Sequence, residues 1–372
     1  MKLDFIDTLL LESNDPASIT GRTPHPEDAI FDSSQAASQM VAAMESVIEN
    51  PGSITIKWDG YPALLFGRSA RGVFTVRDKY MFDRGFVADS PAKWQQSDLE
   101  KKSGKTRPDL YEKLISIWPG LEAAVGNSVG YFWGDLLWSH KLTPIDGNYV
   151  FRPNPHGVTY TVPANSEFAK NYITDRTGGI VVHQYIGSEG AMPAQWNGQG
   201  LNKTAPVAIV PVTANVAFTL VNPVRLHKNA ITKIQQYGNL ADKFMSGLDD
   251  KGRMAVKQYA NKLITRQTTE PIDQWLVNAN FTQKLKKFML GDNQGGYLYR
   301  NQKGLAAVFA IWNAVYAFKI NLVTQLEKQQ QTIGQTINGK PGGEGFVFNT
   351  DNGLVKLVNR GVFSAELFAR QG

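Results

Sequence analysis

Lys57-Trp58-Asp59-Gly60 places a lysine at the end of an apolar run, Ile54-Thr55-Ile56, and directly before a turn. An ammonium is a poor nucleophile, so covalent chemistry through Lys57 needs an amine that gives up its proton easily. Neighbouring cations or a bound metal at a strand end promote that loss. Gly60 lets the backbone turn tightly and approach a ligand. Alone, the four residues read more readily as an ordinary lysine followed by an Asp-Gly turn. Companions further along the chain add weight. Phe132-Trp-Gly-Asp135 sets an acid after a glycine in an aromatic run. Glu344-Gly-Phe-Val347 sets a carboxylate before an apolar run, and Val355-Lys356-Leu-Val358 puts a second lysine on the run after that.

Motif by motif and in order, the chain resembles the covalent nucleotidyltransferase superfamily of ATP-dependent DNA ligases, RNA ligases and mRNA capping enzymes. The resemblance covers residues 50–190 and 340–360. The longer run Lys57-Trp-Asp-Gly-Tyr-Pro-Ala63, with His25-Pro-Glu-Asp28 before it and Gly134-Asp-Leu-Leu137 after it, also looks like ligase-like proteins of tailed phages related to T4. The resemblance implies that Lys57 attacks the α-phosphorus of ATP and expels pyrophosphate, forming a lysyl-AMP. It further implies that Asp59 and Gly60 shape the turn at the nucleotide, and that Arg77 and Lys79 read ribose and phosphates. Asp135 would bind ribose or metal, Glu344 would organise Mg²⁺ (or Mn²⁺), and Lys356 would neutralise charge on the α-phosphate. His183 or Tyr185 would stack on the base.

Three positions depart from the family pattern: Pro62 stands where DNA ligases carry arginine, Asp135 where glutamate is usual, and Lys356 alone where two lysines are usual. Few residues follow the last lysine run, so the OB domain of many DNA ligases is expected to be missing. On that analogy the expected acceptor is a nucleic-acid 5′-phosphate end, RNA slightly ahead of DNA. Transfer to a protein or small-molecule acceptor, or a non-catalytic phage nucleic-acid-binding protein on the same fold, are the alternatives.

Other motifs carry less. Gly334-Gln-Thr-Ile-Asn-Gly339-Lys340 matches most of a P-loop, but Pro341 replaces the hydroxyl residue that would hold Mg²⁺ and no helical pattern follows. Histidines 25, 140, 156, 183 and 227 lack metal-ligand spacing.

The elements that must position these residues follow from periodicity. Ala36, Met40, Val41, Met44, Val47 and Ile48 predict a helix capped by Asp32 or Ser33 and ending before Pro51. Strands are expected at 54–57, 63–66 and 73–77 as a meander, at 129–138 and 179–186, and as further runs in 207–220. A helix is expected over 110–117. From Arg225 the spacing turns helical until about 332, and strands resume after Gly339. The expected fold is α+β: a nucleotidyltransferase (ATP-grasp-like ligase) core of antiparallel sheets with a helical insertion. Its expected parts are an N-terminal segment 1–50, core residues 51–224, the insertion 225–332 and core residues 333–372.

Composition is compatible with this reading. The 372 residues are 42% hydrophobic and include no cysteine, which excludes disulfides and thiol catalysis. The net charge of +6 is uneven: residues 225–330 hold 16 Lys/Arg against 7 Asp/Glu. Lys284, Lys286 and Lys287 are the expected nucleic-acid-binding residues of that segment, against the plainer reading of a solvated helix face. Met1–Ser13 lacks the pattern of a signal peptide, and Gly304–Val323 reads as a buried helix, since Asn313, Lys319 and Asn321 interrupt it. No membrane span is expected, and the expected location is the cytoplasm, the host's if the chain is phage-encoded.

Overall fold

The computed structural model describes residues 25–361 except 79–80, 83–84, 100–107, 155–156, 188–193, 197, 213–217, 266–268, 330–332, 338, 342, 344 and 351–352. Lys79, Glu344 and Met1–Ser13 therefore lie outside the described residues. The helices are α1 (Ser34–Glu49), α2 (Pro91–Leu99), α3 (Pro108–Val125), α4 (Val224–Ser246), α5 (Asp250–Thr265), α6 (Ile272–Asn278), α7 (Gln283–Leu290), α8 (Tyr297–Arg300) and α9 (Gln302–Gln329). The strands are β1 (Ile54–Ile56), β2 (Ala63–Arg68), β3 (Phe74–Arg77), β4 (Gly130–Trp138), β5 (Asn148–Phe151), β6 (Thr159–Pro163), β7 (Gly178–Ile186), β8 (Ala194–Gln195), β9 (Val207–Pro211), β10 (Gly334–Ile337), β11 (Lys340–Pro341), β12 (Phe346–Thr350) and β13 (Gly353–Leu357).

The chain is α+β and divides into two compact units. Ile56–Asn215 with Gln330–Glu344 belong to the first, and Thr23–Thr55, Val216–Gln329 and Gly345–Gly372 to the second. The division differs from the expected insertion. Helix α1 and the β12–β13 hairpin fall with the helical segment, because their apolar faces are buried within that unit.

In the first unit a six-stranded sheet runs β3-β2-β4-β7, with β8 and the parallel β9 both pairing along β7. Alternation gives the sheet two faces. Leu64, Phe66, Phe74, Val76, Phe132, Leu136, Ile180 and Val182 bury one face against α2 and α3, which supply Trp94, Leu114, Ile117 and Leu121. The expected end of α3 at Ile117 is overrun: the helix continues through Pro119 to Val125. A proline in a helix interior costs about 3 kcal/mol. Burial of Leu121, Ala124 and Val125 beyond it offsets that, at roughly 25 cal/mol per Å² of apolar surface. The P-loop-like stretch is a β-hairpin, with Ile337 paired to Lys340, in a four-stranded sheet β11-β10-β6-β5. Phe151 and Tyr160, cross-strand partners there, stack at 5.3 Å, and Trp138 and Trp58 extend the aromatic row.

In the second unit Ser33 caps α1, accepting a 3.0 Å bond from the Ala36 N–H. Helix α9 is long and apolar enough to span a membrane by composition, yet Val308, Ile311, Val315, Phe318, Leu322 and Leu326 are buried in the unit. Lys319, midway along it, is wholly buried and donates to Glu27 Oε1 at 2.5 Å. Arg360 also donates to Glu27, and bonds both oxygens of Asp28 at 2.9 and 3.2 Å. The two acids come from the short, wholly buried helical turn Pro26–Phe31, so this part of the N-terminal segment is a buried ionic anchor. Burial alone would push the Asp28 carboxyl up, but Arg360 and Lys257 outweigh it and hold the group below its ordinary value. Burial pulls the Lys319 ammonium down to about 8 despite Glu27.

Removing one member of such a network strands the others. Arg360→Met is expected to lower unfolding free energy by about 3–5 kcal/mol at neutral pH. The sign with pH follows from Asp28. A depressed carboxyl stabilises above its unfolded value and loses that contribution as pH falls through its folded one, so the wild type weakens in acid. Thermal melting at neutral pH and near pH 4 should show the deficit of the variant shrinking in acid, because its stranded carboxylates can then protonate.

Candidate active site

Lys57 leaves β1 into a segment whose backbone is held almost residue by residue. The Ile56 N–H donates to the Val212 carbonyl at 3.1 Å, and the Asp59 N–H to the Tyr160 hydroxyl at 2.7 Å. The Tyr61 N–H donates to Leu136 at 2.8 Å, and Leu136 returns a 3.0 Å bond to Pro62. Trp58, 3% exposed, packs on Tyr160 and Phe168 at 5.0 and 5.8 Å. The tetrad thus alternates between the aromatic row and the sheet, with Lys57 half-buried.

Asp59 is the pivot of this segment. Its Oδ2 accepts a 2.9 Å bond from the Val158 N–H, drawing the β5–β6 loop onto the turn. The fit leaves no room for side chains: a Cβ on Gly157 would collide with the Asp59 carboxylate. Burial raises the Asp59 carboxyl above its ordinary value, against the opposing pull of the Val158 N–H, the Lys57 ammonium and the Asn154 side chain; Asp135 adds a smaller upward push. Burial, then the charge of Asp59, holds the Tyr160 phenol well above its ordinary value, so it stays protonated.

Gly60 meets β4 at Asp135. A Cβ there would overlap the Asp135 side chain and lie 3.1 Å from the Leu136 carbonyl oxygen, so close approach is what requires the glycine. Asp135 Oδ2 lies 2.9 Å from His183 Nε2, both side chains about a fifth to a quarter exposed. A β-bulge produces this pair. Trp133 faces Gln184 while Gly134 faces Val182, so His183 is the extra residue on β7.

The bulge also reverses the alternation beyond it. Tyr185 lands opposite Phe132, packs on that ring at 5.1 Å, and its hydroxyl donates to the Val129 carbonyl at 3.0 Å. It therefore sits on the helix-covered face, whereas Asp135 and His183 share the other, so of the two residues expected to stack on the base only His183 lies beside Asp135. Arg77 shares the face away from the helices but is buried, 3% exposed: it lies opposite Leu65, with its guanidinium 4.9 Å above the Tyr131 ring, and Tyr131 was not among the expected site residues. Its signal was the odd-numbered alternation Tyr131, Trp133, Asp135 along β4. Lys356 belongs to the second unit, half-buried on β13 opposite Val347.

Lys57, Asp59, Gly60, Arg77, Asp135 and His183 thus belong to one unit, and Asp59 feels the charges of both Lys57 and Asp135. Mg²⁺ bound with phosphates needs only one or two protein carboxylates. Asp135 fits that part, since His183 engages Oδ2 and the carboxylate has a second oxygen. Asp59 does not, being committed to Val158. No cluster of three or more potential metal ligands occurs among the described residues.

Two substitutions separate packing from charge. Gly60→Ala should cost about 1–3 kcal/mol by forcing the turn from β4. Asp59→Asn should behave oppositely. A carboxyl raised by burial loses stability as pH rises from its unfolded value through its folded one, and that loss persists at neutral pH. The amide should therefore melt at or above the wild type near pH 7, the advantage vanishing by about pH 3.

Comparison with known proteins gives no curated protein and no solved structure that matches. One family model, described as a family of unknown function (DUF6267), matches residues 23–371. The match spans both compact units, and the chain belongs to that family.

Proposed function

We propose that the chain is an ATP-dependent nucleotidyltransferase of the polynucleotide-ligase type, with the corresponding core fold, acting through a lysyl-AMP at Lys57. The observation that carries this reading is the fixation of the Lys57-Trp-Asp-Gly60 segment against Asp135, with the Asp135–His183 pair and the Arg77 guanidinium on the same sheet. A covalent nucleophile gains from such preorganisation, because little motion is needed to meet the phosphorus.

In the reaction the neutral Lys57 amine bonds to the α-phosphorus, the bond to the pyrophosphate oxygen breaks, and the nitrogen loses its remaining extra proton to solvent or a nearby base. Arg77 supports charge on phosphate oxygens, and His183 lies beside Asp135 at the ribose or base. Mg²⁺ or Mn²⁺ held by Asp135, with Glu344 as the second carboxylate, would neutralise phosphate charge. AMP then passes to a 5′-phosphate end of RNA or DNA, and a 3′-hydroxyl displaces it.

Incubation with α-labelled ATP and Mg²⁺, then denaturing electrophoresis, tests the first step. Wild type should carry a label stable in alkali and lost in acid, as a P–N bond requires, and Lys57→Arg should carry none because guanidinium stays protonated. Absence of label from protein first stripped with pyrophosphate would reject the mechanism. Label without any joined oligonucleotide would move the acceptor to a protein or small molecule.

A further inference from the structure

The two faces of α7 serve different ends. Leu285 and Met289 are buried, and Lys286 donates from Nζ to the Val277 carbonyl at 2.7 Å, satisfying the last turn of α6. Lys284, Lys287 and Phe288 are exposed and share a side of the helix by their i, i+3, i+4 spacing. The lysines grouped by sequence thus divide: Lys286 is structural, and Phe288 takes its place beside the other two.

Phe288 is an unusual surface residue. It stays 42% exposed although its ring stacks on Tyr297 at 5.2 Å and 19°. Tyr297 is itself fixed, its hydroxyl donating to the Phe244 carbonyl at 2.8 Å. A ring already immobilised loses little freedom on receiving another ring. Lys287 lies 3.4 Å from Asp292, but both side chains are more than 70% exposed, and such a pair competes weakly with a polyanion.

We propose that Lys284, Lys287 and Phe288 form a docking surface for single-stranded nucleic acid, the lysines meeting two backbone phosphates and an unpaired base stacking on Phe288. Charge complementarity selects a polyanion, since α7 carries lysines and no acidic residue and presents Lys284 and Lys287 on its exposed side. The open aromatic face selects a strand with unpaired bases over a duplex, whose bases already stack on one another. The surface uses no residue of the candidate active site and does not depend on chemistry at Lys57.

Fluorescence anisotropy with fluorescein-labelled pyrimidine oligonucleotides, RNA and DNA, across a salt series tests it on the full chain. The double variant Lys284→Gln, Lys287→Gln should reduce the slope of log affinity against log salt by about 1.4, two phosphates at roughly 0.7 each. Phe288→Leu, which keeps Tyr297 covered, should weaken binding about 5- to 150-fold with the slope unchanged. Lys57→Arg should bind as wild type, so failure of the lysyl-AMP reading would leave this result intact. Unchanged affinity and slope in the double variant, with folding verified by circular dichroism, would overturn the proposal. So would equal binding of the matching duplex, or wild-type binding to phosphatidylserine vesicles without binding to the oligonucleotides.

Discussion

Burying the carboxylate of Asp59 is unfavourable in itself, and the surroundings of Lys57 are arranged to offset that cost. The Val158 N–H, the Asn154 side chain and the Lys57 ammonium all favour the ionised form, yet desolvation remains the larger effect. Each offsetting contact also fixes a piece of chain. Val158 brings in the β5–β6 loop, Tyr160 takes the Asp59 N–H and joins the aromatic row, and the glycines at 60 and 157 allow the approach. A turn drawn from several directions cannot drift, so the lysine it presents has a defined position.

Much of this frame was legible in the sequence. Periodicity gave strands at 63–66, 73–77 and 129–138, which do pair side by side and carry Arg77 and Asp135, whereas grouping those two with Lys57 came from the family resemblance. What could not be read were events of long-range register. The bulge at His183 leaves no mark in local composition, because it arises from how β7 pairs with β4, and it alone decides that Tyr185 joins the core. Likewise, three lysines in four residues look equivalent until Lys286 finds the carbonyl of Val277.

The segment around Glu27 and Asp28 shows the same limit from another side. His25-Pro-Glu-Asp28 has the composition of an exposed turn, and charged residues are rarely fully buried without partners. Their partners, Lys319 and Arg360, are far along the chain, and nothing local announces them. An apolar cluster could fill the same volume, often with equal or greater stability, but charged groups accept far fewer arrangements of their neighbours. The network therefore constrains which segments of the second unit meet.

That network has a consequence for how the protein comes into being. Arg360 follows Asp28 by 332 residues. At about 5–20 residues per second, the ribosome delivers it roughly 15–65 s after the acids. Until then Glu27 and Asp28 cannot be buried at their native depth, and the second unit stays open while the contiguous body of the first is already available to fold. Synthesis thus completes the helical unit last, and a chain truncated before Arg360 leaves Glu27 with Lys319 alone and Asp28 without its two guanidinium bonds.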